Sequence, residues 1–287
     1  MAALSMRALE ARDLPAALAL CRDAGWNQTA DDWRLFLRLA PTTCRAGCLD
    51  GRLVGTVTVF PYGAFAWIGM VLVDRSSRGQ GIGTALLHEA LDLIGPEGTA
   101  RLDATPLGRP LYERLGFRAD CDLTRLQCDS FRPGPDREPP RSIVPIVRPM
   151  RADDLGDVAR LDAEVFGADR TQLLSHCFEI APHLAWVAES DRSPAGYVLG
   201  RSGHDFDHLG PLAASGPAEA AMLTAAALDK VSRRAVIDVP LERETFREWL
   251  MCSGFQPQRS FTRMTRGPLA HAARRNALFA ALGPEFG

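Results

Sequence analysis

Apolar residues recur at helical spacing from Leu14 to Ala24 and again from Ala30 to Leu39, with Thr29 placed to cap the second run. From Cys44 to Phe60 the pattern changes to strand-like alternation. It is broken by Asp50-Gly51, a pair that accepts positive φ at both positions and so predicts a hairpin turn. Ala66 to Val73 reads as a third apolar strand. A glycine-rich loop follows, then a helix from Thr84 to Ile94, a strand over Ala100 to Ala104, a helix over Leu107 to Leu115 and a closing strand pair. Strands that pair locally before helices cover them predict an α/β fold with a mixed, mostly antiparallel sheet.

The same order can be drawn again further on. Pro194 to Gly200 and His208 to Ala213 read as strands, Ala218 to Val231 as a helix, Ala235 to Val239 as a strand and Glu244 to Cys252 as a helix. Arg148-Pro149-Met150-Arg151-Ala152-Asp153-Asp154-Leu155 echoes Arg7-Ala8-Leu9-Glu10-Ala11-Arg12-Asp13-Leu14, and Ser253-Gly254-Phe255 echoes Leu115-Gly116-Phe117. Matched starts and ends at nearly one offset point to a duplicated domain. Between the copies, Ser130 to Met150 is dense in proline and charge and has no periodic apolar positions. The predicted division is a first domain over 1–130, a proline-rich linker over 131–145 and a second domain over 146–287. The tail after Arg266, with His271 and Arg274-Arg275, is expected to form a short terminal helix.

A length of 287 residues suits two domains. With 24% charged residues and a net charge of -2, no strong field invites nucleic acid. No stretch approaches the roughly 20 apolar residues of a membrane span, so neither nucleic acid nor membrane is an expected partner and the cytoplasm is the expected location. The seven cysteines are scattered, and Cys44 and Cys48 have no second pair near them, so no metal site is expected.

The chemistry concentrates where Met70-Val71-Leu72-Val73-Asp74 runs through Arg75-Ser76-Ser77-Arg78-Gly79-Gln80-Gly81-Ile82-Gly83-Thr84 into a helix. Glycines at alternate positions remove Cβ atoms that would block an anion. The helix start adds free N–H groups, and Arg78 adds a fixed positive charge. A dinucleotide site is the competing reading, with Asp103 as its ribose acid, but its G-x-G-x-x-G spacing fails because Thr84 stands where the last glycine should fall.

Arg78-Gly79-Gln80-Gly81-Ile82-Gly83 resembles the R/Q-x-x-G-x-G/A signature of the GNAT superfamily of N-acetyltransferases. The resemblance continues in Thr105-Pro106-Leu107-Gly108-Arg109-Pro110-Leu111-Tyr112-Glu113-Arg114-Leu115-Gly116-Phe117, where a tyrosine stands ahead of Gly-Phe. It implies two GNAT-like domains and acetyl-CoA as acyl donor. It further implies that the backbone of Val71, Leu72 and Val73 bonds pantetheine and the acetyl carbonyl. The loop from Arg78 through Gly79, Gln80, Gly81, Ile82 and Gly83 to Thr84 would hold pyrophosphate. Thr105 falls where many members have asparagine and Gly108 where alanine is usual. Direct attack of an amine on the thioester is the implied reaction, with Tyr112 protonating the departing thiolate.

The strand Ala66 to Val73 carries no carboxylate, so a water chain is the leading base, with Asp103, Asp74 and His88 candidates by proximity alone. Deprotonating a lysine-like amine at pH 7 costs about 4.6 kcal/mol against about 1.4 kcal/mol for an α-amine, which favours a less basic acceptor. Trp26-Asn27 and Asp31-Asp32-Trp33 lie in the region that faces the acceptor in this superfamily, and Trp26, Asn27 and Trp67 are the pocket candidates.

In the second half, Leu212-Ala213-Ala214-Ser215-Gly216-Pro217 stands in place of the glycine loop, and Leu250 stands in place of Tyr112, with Trp249 one position off. That half resembles a diverged GNAT repeat that packs or shapes the acceptor side. The expected activity is acetyl transfer to a small-molecule or peptide amine; a non-catalytic acyl-CoA-binding regulator is the other reading.

Overall fold

Asp50 and Gly51 take φ values of 48° and 78° and close a two-residue hairpin in which Leu49 pairs with Arg52. In the computed structural model, which describes residues 3–131, 145–190, 193–229, 231, 233–268 and 274–287, this hairpin joins β2 (Cys44–Leu49) to β3 (Arg52–Pro61). The chain folds as two units. One comprises Met1–Arg118, Met264–Leu269 and Pro284–Phe286; the other comprises Ala119–Arg263, Ala270–Gly283 and Gly287.

In the first unit the ladder runs β1 (Leu4–Ala8), β2, β3, β4 (Ala66–Val73), β5 (Ala100–Ala104). Only β4 and β5 are parallel; the other neighbours are antiparallel. The helices are α1 (Leu14–Asp23), α2 (Ala30–Leu39), α3 (Ile82–Ile94) and α4 (Arg109–Arg114). Thr29 caps α2 as its sequence suggested, and the Asp32 carboxylate returns a bond to the Thr29 N–H at 2.7 Å. The apolar face of α3, with Leu86, Leu87 and Ala90, packs on Val54, Val57, Ile68 and Leu102 of the sheet. Each such buried aliphatic side chain contributes about 1.5–3 kcal/mol. Met264 belongs to this core, because the last residues of β12 (Gln256–Arg266) extend the sheet beside β5.

The second unit contains β6 (Arg118–Cys128), β7 (Ile146–Pro149), α5 (Leu155–Phe166), α6 (Thr171–Ile180), β8 (Trp186–Ser190), β9 (Ser193–Ser202), β10 (Asp207–Ala213), α7 (Pro217–Leu228), β11 (Ala235–Pro240), α8 (Glu244–Cys252) and β13 (Leu278–Ala280). Its ladder runs from β12 through β6, β11, β10, β9 and β8 to β7, and β13 pairs with β10. The repeat seen in sequence has a physical counterpart at the start of each copy. Arg7 grips Asp13 with two bonds of 2.6 and 2.7 Å, and Arg148 grips Asp154 with two of 2.7 and 2.8 Å. Each carboxylate also accepts a backbone N–H three residues earlier, from Glu10 and Arg151.

Two expectations change. Contacts place the strand that follows Gly116-Phe117 with the second unit, whereas the sequence divides the chain at 130; most of the expected 131–145 linker lies outside the described residues. The tail after Arg266 is not a terminal helix where it is described. His271 lies outside the described residues, and Arg275–Ala277 form a single 3-10 turn before β13. Ala277 through Leu282 are buried on every side, which a strand enclosed in a sheet satisfies and a surface helix does not.

Candidate active site

β4 starts in register with β5 but leaves it early. The ladder between them holds Ala66–Ala100 and Trp67–Arg101, although β5 continues to Ala104. The cause lies at Met70, whose φ is +50°. Two residues, Met70 and Val71, there stand opposite Val57, and the pairing with β3 shifts between Thr56 and Thr58. The Thr56 hydroxyl donates to the Met70 carbonyl at 2.8 Å and holds the bulge. Beyond it, Val71, Leu72 and Val73 line a wedge between the parting strands, with Val71 and Val73 half-buried. These are the residues whose backbone the family resemblance implies for pantetheine.

From Val73 the chain turns through Asp74, which caps the Arg75–Ser77 turn by accepting the Ser76 N–H at 2.9 Å and pairs with Arg52 at 3.3 Å. The Ser76 hydroxyl holds the Asp74 carboxyl below its ordinary range, so this group is a turn cap and a poor base. Arg78 is exposed, and its Nε donates to the Val73 carbonyl at 3.2 Å, tying the guanidinium to the end of β4. Gly81 then takes φ +79° as the N-cap of α3 with no side chain capping the helix. The N–H groups of Ile82, Gly83 and Thr84 are left to an external acceptor, and the positive end of the helix dipole points the same way. A Cβ at Gly79 or Gly81 would meet nothing within 4 Å, so the surface above the loop is open.

On the other flank, Thr105 begins the turn into α4. Its hydroxyl accepts the Gly108 N–H at 3.2 Å and its carbonyl accepts the Arg109 N–H at 2.9 Å, which delays the helix from Leu107 to Arg109. Leu107 is left 89% exposed. The glycine at 108 has a local reason, since a Cβ there would come within 3.0 Å of the Tyr112 ring. Tyr112 packs edge-on to Phe117 at 5.9 Å, and its hydroxyl has no hydrogen-bond partner among the described residues. Burial pushes the phenol up to about 12, so it keeps its proton at neutral pH.

The other candidates are less closely gathered. Trp26 is half-buried and Asn27 buried in the loop between α1 and α2. Trp67 is fully buried, and its indole N–H donates to the Pro284 carbonyl at 2.9 Å. His88 lies on the exposed face of α3, and Asp103 is half-buried on β5. Pro284–Phe286, which sequence reasoning missed, also lies against Trp67 and Gly69 of β4. No local pattern in the tail announced it.

The second unit has the same frame with the opening filled. β10 carries a bulge between Leu209 and Leu212, but here β13 occupies the wedge. Leu212 pairs with Ala280, Ala213 with Leu278, and the Ala214 N–H donates to the Ala277 carbonyl at 3.0 Å. Asp238 of β11 bridges to Ala281 from the opposite side. At Gly210 a Cβ would fall 2.0 Å from the Ala281 carbonyl, so glycine is required for this approach. The first turn of α7 holds the buried Glu219, which accepts a bond from the Ser215 hydroxyl, so a carboxylate stands at this helix start in place of the open glycine loop of the first unit. Leu250 stands where Tyr112 does: Phe255 N–H bonds its carbonyl at 3.0 Å as Phe117 N–H bonds that of Tyr112 at 3.1 Å.

A sheet parted at a bulge, followed by an uncapped helix start, fits the comparison with known families. The model of the acetyltransferase (GNAT) family matches residues 6–117, and that of a further acetyltransferase (GNAT) domain matches residues 158–280. The chain belongs to the GNAT family. It is an acyltransferase with two GNAT domains in tandem. The uncharacterized N-acetyltransferase YitH of Bacillus subtilis is 26% identical over 239 residues, 83% of either chain. L-2,4-diaminobutyric acid acetyltransferase of Nocardia farcinica is 30% identical over 130 residues, 41% of this chain and 66% of that one. A tandem GNAT protein from the clavulanic acid biosynthesis pathway shares the fold with a TM-score of 0.64 and 19% identity, over 93% of this chain and 100% of that one. Among the described residues, no helix is long and apolar enough to cross a membrane.

Proposed function

We propose that the first unit binds acetyl-CoA in the wedge beyond the β4 bulge and transfers its acetyl group to the primary amine of a small molecule. The observation that carries this reading is the contrast between the two GNAT domains. The wedge is open beside an uncapped helix start in the first and filled by β13 beside a carboxylate in the second. The small-molecule acceptor is supported by the diaminobutyrate named for the Nocardia relative.

Bound acetyl-CoA supplies a thioester carbonyl that an amine attacks with release of the thiol. The residues of this chain do the rest. The N–H groups of Gly83 and Thr84, with Arg78, neutralise the pyrophosphate charge. A helix start contributes about 0.3–1 kcal/mol to an exposed anion and the guanidinium about 1.5–3 kcal/mol. The post-bulge backbone of Val71 to Val73 presents donors and acceptors that β5 does not use, and an N–H there stabilises the oxygen on which charge develops. Tyr112 donates to the leaving sulfur. With its phenol near 12 and a thiol near about 8.5, full proton transfer is uphill by roughly 5 kcal/mol. The role supported is hydrogen-bond donation, in place of the outright protonation expected from sequence, with water delivering the final proton.

Equilibrium titration tests the assignment. One equivalent of acetyl-CoA per chain is expected, and Arg78→Ala should weaken binding about tenfold, the low end for a charge-assisted bond at an exposed site. Two equivalents per chain, or an unchanged affinity in the folded variant, would overturn it.

A further inference from the structure

The bulge of β4 turns on one peptide. Met70 and Val71 together stand opposite Val57, and the extra residue that a bulge inserts is left out of regular pairing. The Thr56 hydroxyl supplies the Met70 carbonyl with a partner at 2.8 Å, and both residues are fully buried. Met70 holds φ +50°, a region that a residue with a side chain occupies when its surroundings fix it there. The Met70–Val71 bond is trans, and the carbonyl and N–H of a planar trans peptide point in opposite directions. With its carbonyl on Thr56, this peptide aims the Val71 N–H away from β3, to the side from which β5 has parted. Alternation along the strand agrees. The Asp74 N–H bonds the Val54 carbonyl at 2.8 Å, so the backbones of Asp74 and Leu72 face β3 while those of Val73 and Val71 face the wedge.

We propose that Thr56 is a positioning residue for acetyl transfer, its hydroxyl locking the Met70–Val71 peptide so that the Val71 N–H meets the thioester oxygen in the wedge. The inference rests on the acetyl-transfer reading above and adds the side chain that acts through the backbone donor. Thr56 touches no substrate. It fixes the direction of the N–H before the amine attacks, and a bond donated to the carbonyl end of a peptide strengthens the N–H at its other end by about 10–30%. The second unit supplies an internal comparison. Its register pairs Val198 with Leu212 and Gly200 with Leu209, as Thr56 pairs with Leu72 and Thr58 with Gly69 in the first. Val198 therefore stands in the place of Thr56 and has no hydroxyl. Gly210–Pro211 stands in the place of Met70–Val71, and proline has no N–H to offer. Hydroxyl and N–H occur together where the wedge is open, and both are missing where β13 fills it.

The test compares wild type with Thr56→Val, which keeps the branched shape and removes the hydroxyl, and with Thr56→Ser, which keeps the hydroxyl. Thr58→Val is the control, because it removes a buried hydroxyl of the same strand that has no hydrogen-bond partner among the described residues. Single-turnover acetyl transfer, amine KM and acetyl-CoA Kd are measured for each. Infrared difference spectra of bound acetyl-CoA, isotope-labelled at the thioester carbon, report the bond to its oxygen. Thr56→Val should slow transfer about tenfold, below the roughly 10²- to 10³-fold cost of deleting such a donor outright, with KM and Kd within about twofold of wild type. Its carbonyl stretch should lie above that of wild type. Thr56→Ser should restore the rate and the stretch, and Thr58→Val should leave both unchanged. If Thr56→Val does not fold, Thr56→Cys, whose thiol is a weaker donor, is compared with Thr56→Ser, and the slower transfer and higher stretch belong to the cysteine. A wild-type rate and stretch in folded Thr56→Val, equality of the cysteine and serine variants, or an equal loss in Thr58→Val would overturn the inference while leaving acetyl transfer intact. A wild type that binds acetyl-CoA and acetylates no amine would overturn both.

Discussion

Replacing Tyr112 by phenylalanine isolates one hydroxyl. The ring keeps its edge contact with Phe117 and its seat over Gly108, and the hydroxyl has no partner to lose among the described residues. Folding stability should stay within about 0.5 kcal/mol of wild type, as for a substitution that breaks no contact. Turnover should fall. A hydrogen bond to a charged group is worth about 1.5–3 kcal/mol, which corresponds to a loss of about ten- to hundredfold in kcat. The assay is thiol release at saturating acetyl-CoA, with single-turnover mixing to confirm that chemistry limits the rate. The pH profile gives a second reading. Since burial holds the phenol near 12, Tyr112 stays protonated through the working range, and wild-type kcat/KM should rise with amine deprotonation without falling again below pH 10. A variant with wild-type kcat where chemistry limits, or a descending limb below pH 10 that disappears in Tyr112→Phe, would refute the assignment.

Gly83→Ala should separate stability from affinity. Its Cβ would make ordinary contacts with Val73 Cγ2 at 3.8 Å and Leu111 Cδ2 at 4.0 Å, so thermal unfolding should show a gain of about 0.4–1 kcal/mol, while calorimetric affinity for acetyl-CoA falls; tighter binding would place the pyrophosphate elsewhere. In the second unit, His208 Nε2 lies 3.2 Å from an Asp238 carboxylate that Arg125 also grips by two bonds of 2.7 Å. Burial lowers the His208 pKa to about 4. The unfolded chain binds this proton between about pH 6.5 and 4 and the folded chain does not, so stability is present above that window and is lost as pH falls. Urea unfolding should show about 2 kcal/mol less stability at pH 5 than at pH 7, with the slope reduced in His208→Gln; equal slopes in both proteins would contradict a neutral buried histidine.

Much of the first GNAT domain was legible because its signals are local. The Asp50-Gly51 turn, the Thr29 cap and the alternating glycines each fix a backbone geometry within a few residues. Thr105 and Gly108, which depart from the family's usual residues, acquire reasons only in three dimensions, one as a turn cap and the other as the seat of a ring. The tail resisted reading for the opposite cause. Leu278 to Ala281 and Pro284 to Phe286 owe their positions to partners far away in sequence, namely β10, β11, Gly69, Trp67 and Tyr62. A periodicity argument sees a short apolar segment there and has no access to the space it fills.

The central claim is that the open wedge of the first GNAT domain performs acetyl transfer to an amine. Thiol release from acetyl-CoA, followed with a panel of small primary amines and peptides and paired with mass detection of the products, tests it most directly. The account predicts amine-dependent thiol release with one acetylated amine formed per thiol, for at least one small-molecule acceptor, and loss of that release when Arg78 and Tyr112 are both replaced. Acetyl-CoA binding without amine-dependent release across the panel, or full release in the folded double variant, would contradict it.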